Sequence, residues 1–146
     1  MSQLLITEYL NDLATLKRVS GAQRESVVRE AFKDLLKKWG RSQSLVFIPE
    51  HEIITTAKVR NYVDGALMHD LRVPFGYWEA KDADDDLDEE IAKKFRRGYP
   101  NTNIIFEDST QAVLIQNGAE VMRCKTDDGP GLQRLLELFF LSLIHI

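Results

Sequence analysis

The sequence predicts an α/β domain of mixed α+β character, with a central mixed sheet flanked by helices. Three observations carry that prediction: apolar residues at helical spacing across the first forty positions, short β-rich runs from Gln43 onward, and a polar helical segment before further strands. Ser20 and Gly21 divide the first forty residues into two helices. In the second, from about Gln23 to Trp39, residues Val27, Val28, Ala31, Phe32, Leu35, Leu36 and Trp39 form one apolar face, and Gly40 reads as its stop. Four strands are expected next, "SLVFI", "EIITTAKV", "YVDGALM" and "FGYWEAK", separated by turn-like "PEH" and "HDLRVP". A polar helix from about Asp86 to Gly98 follows. "NIIFED" then reads as a strand and "QAVLIQNGAEVMRC" as a hairpin turning at Asn117-Gly118, a pair suited to a type I′ turn. A last helix begins near Gly131, which gives the order ααββββαβββα.

Bulk properties narrow the function classes. A chain of 146 residues with 44% apolar content suits one domain around one core. The single cysteine, Cys124, rules out an internal disulfide framework and a multi-cysteine zinc site; lacking a base partner, it reads as a structural thiol. The N-terminal run carries acids and no charged leader, which with the cysteine count points to the cytoplasm, and no apolar run reaches the roughly 18 residues of a membrane span. The net charge is −4, but seven acids crowd into "DADDDLDEE" (Asp82 to Glu90); outside it stand 19 basic and 16 acidic residues, so a nucleic-acid partner stays open. That acidic run is not a calcium loop, because Leu87 occupies the glycine position and Lys93 the position of the final glutamate. It reads as a solvated loop and an acid-rich helix start.

Chemistry concentrates in "VDGALMHDLRVPFGYWEAKD". A period of two places Tyr77, Glu79 and Lys81 on one strand face, with Trp78 and Ala80 on the other. A hairpin about "HDLRVP" sets Asp64 close to opposite Glu79. Two carboxylates and a backbone carbonyl suit Mg²⁺, and a neighbouring lysine can neutralise charge developing on a phosphate. The plain alternative is that these are polar strand residues facing water. Against it stand Gly65, which permits close backbone approach beside Asp64, and the aromatic, interior character of the strand that ends in Glu79 and Lys81. For a third acid, helix geometry prefers Glu25, at the edge of the apolar stripe, to Glu30 on its far side. An ordinary Glu25–Arg29 pair at i,i+4 is an equal reading of the same residue.

Taken in order, "ESVVREAFKDLL" (Glu25 to Leu36), "VDGAL" (Val63 to Leu67), "YWEAKD" (Tyr77 to Asp82), the helix with "KKFRRGY" (Lys93 to Tyr99) and "NIIFEDSTQAVLIQNG" (Asn103 to Gly118) resemble the PD-(D/E)xK nuclease superfamily. The resemblance is closest to the N-terminal nuclease domain of type I and single-polypeptide restriction-modification enzymes, and implies a restriction-endonuclease-like fold. It implies that Asp64 and Glu79 hold Mg²⁺ with the Ala80 carbonyl, that Lys81 is the catalytic lysine, and that Glu25 orients water or the lysine. The implied reaction is Mg²⁺-dependent hydrolysis of a DNA phosphodiester. Val63 replaces the motif's proline, and the helix at Ile91 to Tyr99 lacks the glutamine often found there in type I subunits. The alternative is a nuclease-like DNA-binding or docking module that does not cleave. A divalent ion between Asp64 and Glu79 would favour the enzyme, whereas a salt bridge closing that space would favour the module.

Two basic stretches, "KKFRR" (Lys93 to Arg97) and "KVRN" (Lys58 to Asn61), are candidate phosphate contacts, the first equally a solvated helix face. His51, His69 and His145 share no ligand spacing. The apolar end "ELFFLSLIHI" is expected to pack against another domain or subunit, or to lie outside the native reading frame. The family resembled carries motor or methyltransferase domains after the nuclease, so the chain reads as the N-terminal part of a longer enzyme.

Overall fold

A computed structural model describes residues 2–20 and 24–141. The elements are α1 (Ser2–Ser20), α2 (Arg24–Ser42), β1 (Val46–Ile54), β2 (Arg60–Met68), β3 (Pro74–Ala80), α3 (Leu87–Arg96), β4 (Asn103–Glu107), β5 (Gln111–Gln116), β6 (Ala119–Lys125) and α4 (Gly129–Phe140). The strands form one six-stranded sheet in sequence order, β1 to β6. Every neighbouring pair is antiparallel except β3 and β4, which run parallel because α3 carries the chain back across one face. The predicted mixed α/β class is the observed one.

The sheet is covered on both faces. Helices α1, α2 and α4 pack on one, around Leu67, Trp78, Ile105, Ala112 and Leu114; α3 covers the other, with Leu87 and Ile91 against Ile104, Phe106, Val113 and Ile115. Strands β4 and β5 are therefore buried on alternate residues in both directions, which is why "NIIF" and "AVLI" read as continuous apolar runs. All seven apolar residues of the predicted α2 face are buried.

Three boundaries differ from the prediction. Gly40 does not stop α2, which continues to Ser42; a Cβ there would come within 2.6 Å of Leu67 Cδ2, so the glycine serves close packing. "PEH" does not break a strand either. β1 runs through Pro49, Glu50 and His51 as an edge strand, where a missing N–H is tolerated, and the reversal falls instead at Thr55 to Val59. There are thus three strands before α3, not four. The remaining turns agree: Asp86 caps α3 through its side chain, and Asn117 and Gly118 both take positive φ, 53° and 79°.

The apolar end is accounted for through Phe140. Leu135, Leu136, Phe139 and Phe140 are buried inside the domain, and Asn103 Nδ2 donates to the Phe139 carbonyl at 3.0 Å. No second subunit is needed to cover them. Leu141, the next residue of the predicted feature, is exposed, and its remainder, residues 142–146, lies outside the described residues, as does Gly21.

Candidate active site at the β2–β3 junction

Asp64 and Glu79 meet where β2 leaves the ladder with β3. The register Gly65↔Trp78, Ala66↔Tyr77, Leu67↔Gly76 carries on to set Asp64 opposite Glu79. Side chains replace the backbone ladder there: the Asp64 N–H donates to Glu79 Oε1 at 3.0 Å, and the Ala80 N–H donates to Asp64 Oδ2 at 2.7 Å. Each carboxylate is thereby aimed by its partner's strand. On the other side of β2, Pro49 pairs with Gly65 and His51 with Val63, while Glu50 between them takes a φ of 48°. Gly65 makes the approach possible, because a Cβ there would overlap the Phe47 ring and touch Trp78.

Glu79 is almost wholly buried, and its environment pulls in two directions. Burial and then the Asp64 charge raise its pKa, while Lys94, the Asp64 N–H and Lys81 lower it. The net direction is upward. Lys94 Nζ lies 3.2 Å from Glu79 Oε2, closer than Lys81 Nζ at 3.7 Å; Lys81 also reaches Glu90 Oε1 at 3.5 Å. Both lysine side chains are largely hidden, 11% exposed for Lys94 and 14% for Lys81. Lys94 is further held by Tyr99, whose ring centroid is 4.6 Å away and whose hydroxyl accepts at 3.4 Å while donating to the Tyr62 carbonyl.

The predicted face assignment holds: Tyr77 packs with the α3 side, Glu79 faces Lys94 of α3, and Trp78 and Ala80 belong to the opposite core. Glu25 is placed differently from expectation. Its Oε1 accepts the Ala83 N–H at 3.2 Å, and Arg29 pairs with Asp82 at 3.6 Å, so neither the lysine contact nor the i,i+4 pair forms. Helix α2 instead clamps the segment just beyond Lys81. Lys94 belongs to the basic stretch "KKFRR", yet its spacing of three from Ile91 and seven from Leu87 puts it on the apolar face of α3, apart from its exposed basic neighbours. Within "KVRN", Lys58 is exposed at a turn and Arg60 is paired with Glu52 at 3.2 Å.

A second buried acid escaped the sequence reading. Glu107, opposite Ala80 in the parallel ladder, faces the α1/α2 side. Burial pushes its carboxyl up to about 7, against the Ser109 N–H and the Arg29 charge. Among the described residues its Oε1, Arg29 Nε and Trp78 Nε1 are buried without a well-formed hydrogen bond, although the Trp78 indole N–H lies near enough to the carboxylate to lower its pKa. Its backbone carbonyl accepts the Lys81 N–H at 2.7 Å. Strand period could have found it, since Glu107 follows Ile105 by two. Cys124, half-buried, has its thiol raised to about 11 by burial, which keeps it unreactive.

No family model matches the chain, and no curated protein does. Among solved structures, the chain superposes on one determined by cryo-EM, a DrdV–DNA complex, with a TM-score of 0.88 and 42% sequence identity. That protein was captured on DNA. The match covers 96% of this chain and 14% of the other, so this chain spans a small part of the length of the protein it resembles.

The donors at the junction are all oxygens, and they fit a hard divalent cation. Two juxtaposed carboxylates in a buried setting, one with a raised proton affinity, are a charge arrangement that a cation relieves. Among the described residues no three His, Cys, Asp or Glu side chains gather as a closed cage. No helix among the described residues is long and apolar enough to cross a membrane.

Proposed function

We propose that this chain is the nuclease domain of a restriction enzyme, hydrolysing DNA phosphodiesters with Mg²⁺. The observation that carries the reading is the reciprocal locking of Asp64 and Glu79, with Lys81 beside them. The 42% identity to a protein captured on DNA supports DNA as the partner. Asp64, Glu79 and the Ala80 carbonyl would hold the ion, whose chemistry is to activate water and stabilise charge on phosphate oxygen. Lys81, one residue past the end of β3 and fixed to β4 through the Glu107 carbonyl, would offset the negative charge that grows on the phosphate. Glu25 acts at one remove, holding the Ala83 backbone and with it the segment that follows Lys81. Further motor or methyltransferase domains in the same polypeptide fit the small share of the matched protein that this chain spans.

A second reading, a DNA-binding or docking module that does not cut, draws on the Lys94–Glu79 ion pair, because it already satisfies the carboxylate. A plasmid-nicking assay separates the two. The nuclease reading expects nicking that requires Mg²⁺, stops in EDTA, and falls at least about 100-fold in Lys81→Ala and Asp64→Ala. Circular dichroism of both variants should match the parent. Undiminished cleavage by Lys81→Ala would overturn the assignment, and metal-independent DNA binding without nicking would favour the module.

A further inference from the structure

We infer that Lys94 is a built-in counter-ion of Glu79, occupying the electrostatic place of a divalent cation and leaving that carboxylate when a cation is held there. The inference rests on the metal reading proposed above. Three observations carry it. First, Lys94 Nζ is the closest cation to Glu79, 3.2 Å from Oε2, while Asp64's N–H takes Oε1, so both oxygens of Glu79 are engaged. A cation drawing on Glu79 Oε2 competes directly with that ammonium, since two positive centres sharing one buried oxygen repel strongly where water cannot screen them. Second, Lys81 has an alternative partner in Glu90 at 3.5 Å, so it can give up Glu79 and still keep a carboxylate. Lys94 instead has Tyr99, whose ring lies 4.6 Å away and whose hydroxyl oxygen is 3.4 Å off. That aromatic seat accommodates the ammonium without a second negative charge. Third, Lys94 projects from α3 across the face of the sheet, whereas the donors themselves come from β2 and β3, so its side chain can shift without moving them.

Glu79 without Lys94 would be a buried carboxylate beside Asp64 with one fewer counter-charge. The ammonium thus holds the Glu79 carboxylate in position before a cation arrives, which makes Lys94 a positioning residue. Its cost is competition with the ion.

Isothermal titration of Mg²⁺ into the DNA-free protein tests this, comparing the parent with Lys94→Met and Lys94→Arg. The Met variant should take up Mg²⁺ about tenfold or more tightly, as expected for removing a close, poorly solvated competing charge. The Arg variant, retaining the charge, should stay near the parent. Equal or weaker Mg²⁺ affinity in Lys94→Met overturns the inference while leaving the metal site standing. Absence of Mg²⁺ uptake by every variant overturns both together. Lys94→Gln, which keeps a hydrogen-bond donor toward Glu79, serves the same comparison should the Met variant fail to fold by circular dichroism.

Discussion

Glu79 and Glu107 stand one position out of register on adjacent parallel strands, 4% and 1% exposed, yet they face opposite layers and live in different company. Burial raises the proton affinity of both. On the α3 side, two lysines and two backbone N–H groups surround the Asp64–Glu79 pair, so its carboxylates are partnered and aimed. On the α1/α2 side, Glu107 has the Ser109 N–H, the Arg29 charge and the nearby Trp78 indole, and among the described residues one of its oxygens lacks a well-formed hydrogen bond. Two glutamates of similar burial are thus made chemically unlike by what the neighbouring helix brings. Counter-charge, more than burial, marks out the candidate site.

The comparison can be broken at Glu107 first. Its folded pKa of about 7 lies above the ordinary glutamate value of 4.5, so its contribution to stability is complete below about pH 4.5 and is lost as pH rises through 7. The loss amounts to on the order of 3 kcal/mol by pH 8. Glu107→Gln should remove that slope in denaturant melts between pH 5 and 8, gaining stability relative to the parent at the alkaline end. A parent and variant with parallel pH profiles would mean that Glu107 does not take up a proton on folding across this range.

A substitution between the two regions sharpens the contrast. In Gly65→Ala the new methyl enters the Phe47–Trp78 side while the backbone it perturbs carries Asp64. Overpacking should cost about 1–3 kcal/mol in urea unfolding. It should also weaken Mg²⁺ uptake, although no ligand has been touched. If stability falls and Mg²⁺ affinity does not, the two faces are less coupled than the shared strand implies.

The smallest effect is expected at the outer rim. The Arg29–Asp82 pair is well exposed at 3.6 Å, so Asp82→Asn should change stability by no more than about 0.5 kcal/mol. Cleavage should change little if Glu25 alone anchors this segment. A large loss of nicking in Asp82→Asn would move the functional boundary out to the acidic run.

Much of this is legible in the sequence. Period-two alternation assigned Glu79 and Lys81 to one face because successive strand side chains must point to opposite sides. The apolar stripe of α2 was read residue for residue, since a helix that buries one face repeats every three to four positions. Boundaries were less legible where backbone rules bend to context. Pro49 reads as a turn in the sequence but lies in an edge strand; Gly40 reads as a stop but is a packing gap for Leu67.

The helices, the strands that carry the site, and the placing of Glu79 and Lys81 on one face followed from the sequence alone, because spacing along a strand or helix is local geometry; the fourth strand expected before α3 did not, since β1 runs through Pro49. Which helix brings Lys94 over Glu79, why Glu25 ends on Ala83 and not on Lys81, and why Glu107 is left with a protonatable, half-satisfied carboxyl were decided only by the tertiary structure. Those outcomes depend on distances between residues far apart in the chain, and a charge's partner, unlike its periodicity, is set by whatever the packed layers carry across the gap.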